Sequence, residues 1–228
     1  MSALPDINIV RRPGARKLRL VVDPVSGAVR LTLPKRAALA PALAWAEAQA
    51  PWIAAQRARL PAPRPFAPGA TIPFGDESLV IDWAPGRPRR IERIGDRLIV
   101  GGPVETVASR VTTWLKRAAL LTLTAETEEF AARLGVGVTK VAVGDPKSRW
   151  GSCASSGAIR YSWRLICAPT RVRRATVAHE VAHRVHMHHG PAFHALVADL
   201  VGRDAEAARA WLRREGAALH WLGRDSAG

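Results

Sequence analysis

This sequence has few cysteines, few lysines and far fewer acidic residues than basic ones. Its two cysteines, Cys153 and Cys167, cannot build a disulfide framework or a four-cysteine zinc ribbon. Such sparing use of cysteine makes the cytoplasm the expected compartment. No uninterrupted apolar run reaches the length of a membrane span, so no membrane partner is expected. Met1 to Val10 lacks a basic stretch followed by an apolar one, so no secretory leader is expected. Acidic residues number 19 against 34 Lys and Arg, which leaves a formal charge of +15 at pH 7. A surplus of that size suits acidic partners, nucleic acid or nucleotides, held through a basic surface. A plainer origin has equal standing. Lysine occurs only at 17, 35, 116, 140 and 147, and Ala, Gly and Pro abound, as in the coding bias of a GC-rich genome.

What is present is enough for a core. Hydrophobic residues make up 48% of 228 positions, which suits one large or two small globular domains. Residues 7–33 read as a β-hairpin or meander: Leu18, Leu20 and Val22 alternate, a turn follows at 23–27, and a second alternating run extends from Val29 to Leu33. Residues 36–60 read as helix, kinked or split at Pro51, with Trp45, Trp52, Ile53 and Leu60 as packing anchors. The Pro-rich stretch from Pro61 to Gly69 is a stiff connector. Short strand signals follow at 79–83 and 97–100, with Arg87, Arg89, Arg90 and Arg93 in the turn between them. The longest helical pattern covers 103–134 and stops at Gly135; it is expected to pack against the helix described next. Strands are expected over 136–143 and 158–167. Thr170 then caps a helix running to about His188, Pro191 opens another, and Asp204 caps a last one, leaving a loose tail after Trp221.

All but one of the seven histidines fall between residues 179 and 194, and that clustering argues for a metal. His179 and His183 lie one helical turn apart on one face, so their imidazoles can grip one ion together. Glu180 projects beside them, within reach of a water held by that ion. This is the H-E-x-x-H pattern of zinc-assisted hydrolysis. A catalytic zinc takes a third protein ligand and keeps one position open. His186 is too far: seven helical residues rise about 10.5 Å. A chain turning back at Gly190 offers His188, His189 or His194, and Asp199 and Glu206 are carboxylate alternatives. Spacing alone does not choose among them.

Three blocks together resemble a known family: KSRWGSC at 147–153, WRLICAP at 163–169 and HEVAHRVHMHHGPAF at 179–193. In this order and spacing they are similar to the YgjP-like metallopeptidase domain family, related to the SprT-like zinc proteases. The resemblance implies an α+β fold: an N-terminal β-hairpin and helix region over 1–100, then a zincin-like domain over 101–228 with a small mixed sheet and an active-site helix. It selects His189 as the third ligand beside His179 and His183, with Zn2+ as cofactor and Glu180 as general base acting on a zinc-activated water in peptide hydrolysis. Arg149, Tyr161 and Arg164, from the flanking blocks, are candidates for stabilising the transition state or contacting substrate. Trp150 and Gly151 read more simply as a tight turn under the site. Peptides or proteins are the expected substrates. Two other classes stay open: a metal-dependent hydrolase of a non-peptide substrate such as a nucleotide phosphoanhydride, which the arginine surplus would suit, and a nucleic-acid-associated protease.

Overall fold

A computed structural model of the chain describes residues 7–225. Residues 1–6, part of the stretch read for a leader, and 226–228, the end of the tail, lie outside the described residues. The chain divides into two compact units, Met1–Ala62 and Pro63–Gly228, with the break at the proline-rich connector. Both units mix helix with sheet, so the fold is α+β.

In the first unit, β2 (Arg19–Val22) and β3 (Val29–Pro34) form the expected antiparallel hairpin. Its turn is held by Asp23, whose Oδ1 accepts from the backbone N–H groups of Val25 and Ser26 at 2.7 and 3.0 Å. The strand β1 (Ile7–Arg12) joins the other edge of β3 in parallel, giving the order β1-β3-β2. The helical stretch splits where Pro51 falls, into α1 (Leu39–Ala48) and α2 (Ala50–Arg57), and proline is accommodated in the first turn of α2. Leu31, Leu33, Ala42 and Ala46 make the core here. Ile53 is buried, but Trp45 and Trp52 are exposed by 37% and 40%, so these two tryptophans are not the anchors expected.

The second unit opens with a mixed sheet in the order β4-β5-β7-β6, from β4 (Thr71–Phe74), β5 (Glu77–Trp83), β6 (Glu92–Ile94) and β7 (Arg97–Val100). The long helix α3 (Val107–Leu134) buries Val111, Leu115, Ala119, Leu123 and Phe130 at helical spacing. It ends on Gly135 in the left-handed region, φ 64°, where a side chain would be strained. A second sheet, β8-β10-β9, follows from β8 (Lys140–Gly144), β9 (Gly151–Cys153) and β10 (Ala158–Ser162). Then come α4 (Thr170–Ala182), α5 (Pro191–Val201) and α6 (Asp204–Leu219). The helices α3 and α4 pack together, as expected, and a buried pair joins them: Arg173 donates from Nε and Nη2 to Glu126 at 2.9–3.2 Å. Among the described residues no helix is long and apolar enough to cross a membrane.

Four local expectations are corrected. The strand from Ala158 stops at Ser162; Trp163–Cys167 is a buried 3-10 segment, started by the Ser162 hydroxyl accepting from the Arg164 backbone N–H. Thr170 does not cap α4 with its side chain. Its own N–H is bound by Asp76 Oδ1 at 3.1 Å, from a residue far back in the sequence. The helix α4 ends at Ala182 rather than near His188: His183 is its C-cap, and the chain leaves it in tight turns. The tail after Trp221 is tied down at its start, since Leu222 is buried and pairs with Arg64 in a parallel bridge.

Candidate metal centre

The segment 170–194 brings its histidines together by folding back on itself. His179 lies on the last turn of α4 and His183 at its cap, so their rings sit 5.1 Å apart on one face. The chain then turns at 184–190, and His189, on this turn just before α5 begins, comes back to the same place. One nitrogen from each of His179, His183 and His189 lies within 4.8 Å of the others, so these three could hold a metal ion. The His179 and His189 Nε2 atoms are 3.1 Å apart. Two nitrogens bound at roughly 2.0–2.1 Å to one tetrahedral ion are about 3.3 Å apart, so this pair already stands near a ligating separation.

The donor chemistry also fits. Burial, with His183 and His189 nearby, lowers the His179 pKa to about 4, which leaves its ring neutral and its lone pair available. Burial lowers that of His183 as well. The His183 Nδ1 is 3.1 Å from the His186 carbonyl, which can only accept; the proton is therefore on Nδ1, and Nε2 is left as the ligating atom. That carbonyl is the part His186 plays, while its ring stays out of the cluster. The Phe193 ring is fully buried and lies 4.6–4.9 Å from all three imidazoles, so one aromatic sets the positions of three rings. Among the described residues no carboxylate joins the group, and Asp199 and Glu206 are both exposed elsewhere.

Glu180 is buried beside this cluster with 6% of its surface exposed. Desolvation raises its pKa to about 7, opposed by the charge of Arg149. Its place is made by Gly151 at the start of β9. A Cβ built there would sit 2.5 Å from Glu180 Oε1 and 2.6 Å from its Cγ. Gly151 has no positive φ, so close approach, and not a turn, is what requires glycine. The neighbouring Trp150 is fixed between α6 and β10. Its ring lies 5.0 Å from that of His220, a Cβ at Gly216 would come within 2.9 Å of it, and its carbonyl accepts from the Ser162 N–H at 2.8 Å.

A cavity of about 250 Å³ opens against His179 and Glu180. Trp150, Ala175, Val197 and Leu212 supply apolar wall, and Arg149, Arg209 and His194 supply the polar part. Of the three candidates for contacting substrate, Arg149 alone lines this cavity. Tyr161 is fully buried and its hydroxyl is spent on Thr127 Oγ1 at 3.0 Å; burial pushes its pKa far up. Arg164 holds Asp145 with two hydrogen bonds of 2.7 and 3.0 Å and the carbonyls of Leu219 and Leu222 at 2.6 and 3.0 Å, closing the end of α6. Sequence reasoning did not single out Gly151 as the seat of Glu180, Phe193 as the wedge or Arg209 as a cavity residue. Phe193 stood in the sequence as the last residue of the third family block, and Arg209 carried no signal among so many arginines.

Residues 16–215 match the family described as YgjP-like, metallopeptidase domain. No curated protein and no solved structure matches the chain.

Proposed function

The chain belongs to the YgjP-like metallopeptidase family, and from that premise we propose that it is a zinc-dependent peptidase in which His179, His183 and His189 hold the ion and Glu180 is the general base. The observation that carries this reading is the convergence of three imidazole nitrogens beside a carboxyl buried to 6% exposure. Zinc in such a setting supplies Lewis acidity and lowers the pKa of a coordinated water toward about 7. Three nitrogens with no carboxylate suit zinc better than magnesium or calcium, which prefer oxygen.

The remaining chemistry belongs to the chain. Glu180 has a pKa raised to about 7, so near neutral pH its Oε atoms can take a proton from the attacking water and return it to the leaving amine. Gly151 keeps that carboxyl in place and Phe193 keeps the imidazoles in theirs. The strand β9 stands at the edge of its sheet, where an extended peptide can pair along the backbone and run its scissile bond past Glu180. Arg149, in the same cavity, is the candidate for contacting the substrate or the developing oxyanion. The cytoplasm remains the proposed compartment, with both cysteines free.

A second reading has one observation in its favour. The arginines of the cavity suit phosphate as well as carboxylate, so a nucleotide phosphoanhydride is the alternative substrate. Metal analysis of purified protein, followed by cleavage assays on a peptide library and on nucleotides, tests both. Zinc near one per chain, with peptide cleavage lost in Glu180→Gln, is the expected result. Phosphate or pyrophosphate release that depends on Glu180, without peptide cleavage, would transfer the assignment to nucleotides. Full activity in Glu180→Gln, or protein that takes up no metal, would end the catalytic reading.

A further inference from the structure

Several arginines of this protein pair with an acid. Arg87 and Arg97 meet Asp82, Arg93 meets Glu77, Arg164 meets Asp145, and Arg173 and Arg174 meet Glu126 and Glu129. The two arginines of the cavity differ. Arg149, on the loop before β9, and Arg209, on α6, come from separate elements and line the same cavity of about 250 Å³. Neither donates a hydrogen bond or makes an ion pair among the described residues. Among the described residues Glu180 is the only acid in the cavity wall, and the proposed chemistry occupies it. Two planar, always-charged donor groups therefore stand at a mostly apolar cavity without an ion pair among the described residues.

We propose that Arg149 and Arg209 form a clamp for an oxyanion of the substrate, a carboxylate or a phosphate, held at the cavity while a small apolar group fills its wall of Trp150, Val197 and Leu212. Guanidinium groups bind both oxyanions through paired hydrogen bonds, and the modest volume suits one residue-sized group. For a peptide, the clamp would recognise a carboxylate next to the bond being cut, so the substrate class is a peptide with a terminal or side-chain acid at that position. That assignment of the clamp to the reacting bond rests on the peptidase reading; the anion site itself does not.

The test uses full-length, metal-free protein, so that no probe can bind through a metal. Calorimetric titration compares N-acetyl-Ala-Leu with its C-terminal amide, and ATP with adenosine, on the wild type and on Arg149→Ala, Arg209→Ala, Arg149→Lys and Arg209→Lys. Both arginines are exposed, so the variants should fold, and thermal melting checks this. The expected result is that the acid binds about ten- to a hundredfold more tightly than the amide, that either Ala variant abolishes the preference, and that the Lys variants keep part of it. A preference for ATP over adenosine, lost in the same variants, with acid and amide equal, supports the clamp and assigns phosphate as its oxyanion. Equal binding within both pairs, or a preference that survives both Ala variants, overturns it. Anion binding as expected, with no peptide cleavage by the zinc-loaded wild type, would sink the peptidase reading and leave the clamp standing.

Discussion

At Gly151 a single hydrogen in place of a methyl group lets Glu180 lie against the β9 backbone, because a Cβ would meet the carboxyl at 2.5 Å. Gly151→Ala should therefore displace this carboxyl, the proposed base. A shift of about 1 Å in a reacting group can lower turnover by about a hundredfold, and the expected outcome is a drop of that order in kcat with zinc content unchanged. Loss of zinc in the same variant would mean that Gly151 serves the ligands instead. Glu180 itself makes a second prediction. Its carboxyl titrates at about 7 in the folded chain against 4.5 unfolded, because burial disfavours the charged form. The folded state thus binds more protons between these values, and its stability falls as pH rises through that window. The displacement corresponds to a few kcal/mol, on the order of 3. In metal-free protein, Glu180→Gln should accordingly be more stable than the wild type at pH 8, with the difference vanishing below about pH 4. Denaturant unfolding at the two pH values measures it, and equal stabilities at pH 8 would contradict the buried-carboxyl account.

Among the elements, α3 packed against α4 helps to place the centre. Val177, Ala178 and Val181 pack inward from α4 while Arg173 reaches Glu126 on α3, each with a side chain only 9% exposed. Breaking such a pair leaves one charge buried without a partner, at a cost of about 3–5 kcal/mol, whereas replacing both members by apolar groups is often mild. Arg173→Met and Glu126→Leu should each destabilise by about that much, and the double variant by less than either. A double variant as unstable as the sum of the singles would show that packing, and not the pair, is what matters there. Asp76 works at the other end of α4 by binding the Thr170 N–H, and that bond together with the Thr170 hydroxyl holds its pKa below the usual carboxylate value. The strand pair β4–β5 is thereby fastened to the start of the helix that carries His179.

For the whole chain, every residue of the candidate centre falls in the unit Pro63–Gly228. That unit has its own core, running from Phe66 and Ile72 through Leu115 and Phe130 to Leu219 and Leu222. A fragment of residues 63–228 should therefore unfold cooperatively and bind zinc with the stoichiometry of the full chain. Calorimetry and metal titration of the fragment check this, and a fragment without a cooperative transition would show that residues 1–62 are needed for the fold. The +15 charge belongs to this scale too. The structure spends many arginines on internal ion pairs and carbonyls, as with Arg164 and Arg173, so a high arginine count alone did not identify an anion site.

The sequence by itself determined the periodic and the local. Helical spacing marked α3, Gly135 marked its end, Pro51 marked the break between α1 and α2, and H-E-x-x-H marked two of the converging histidines and the acid beside them, because each of these depends on neighbours within a few residues. The tertiary structure decided whatever depends on residues distant in the chain. It set β1 parallel to β3, replaced the expected Thr170 cap by Asp76, turned Trp163–Cys167 from strand into a buried 3-10 segment, and took Tyr161 and Arg164 away from the cavity. It also chose Gly151, Phe193 and Arg209 as neighbours of the centre. Spacing along a chain fixes only which side chains share a face; which faces meet is set by packing, and packing is a property of the folded whole.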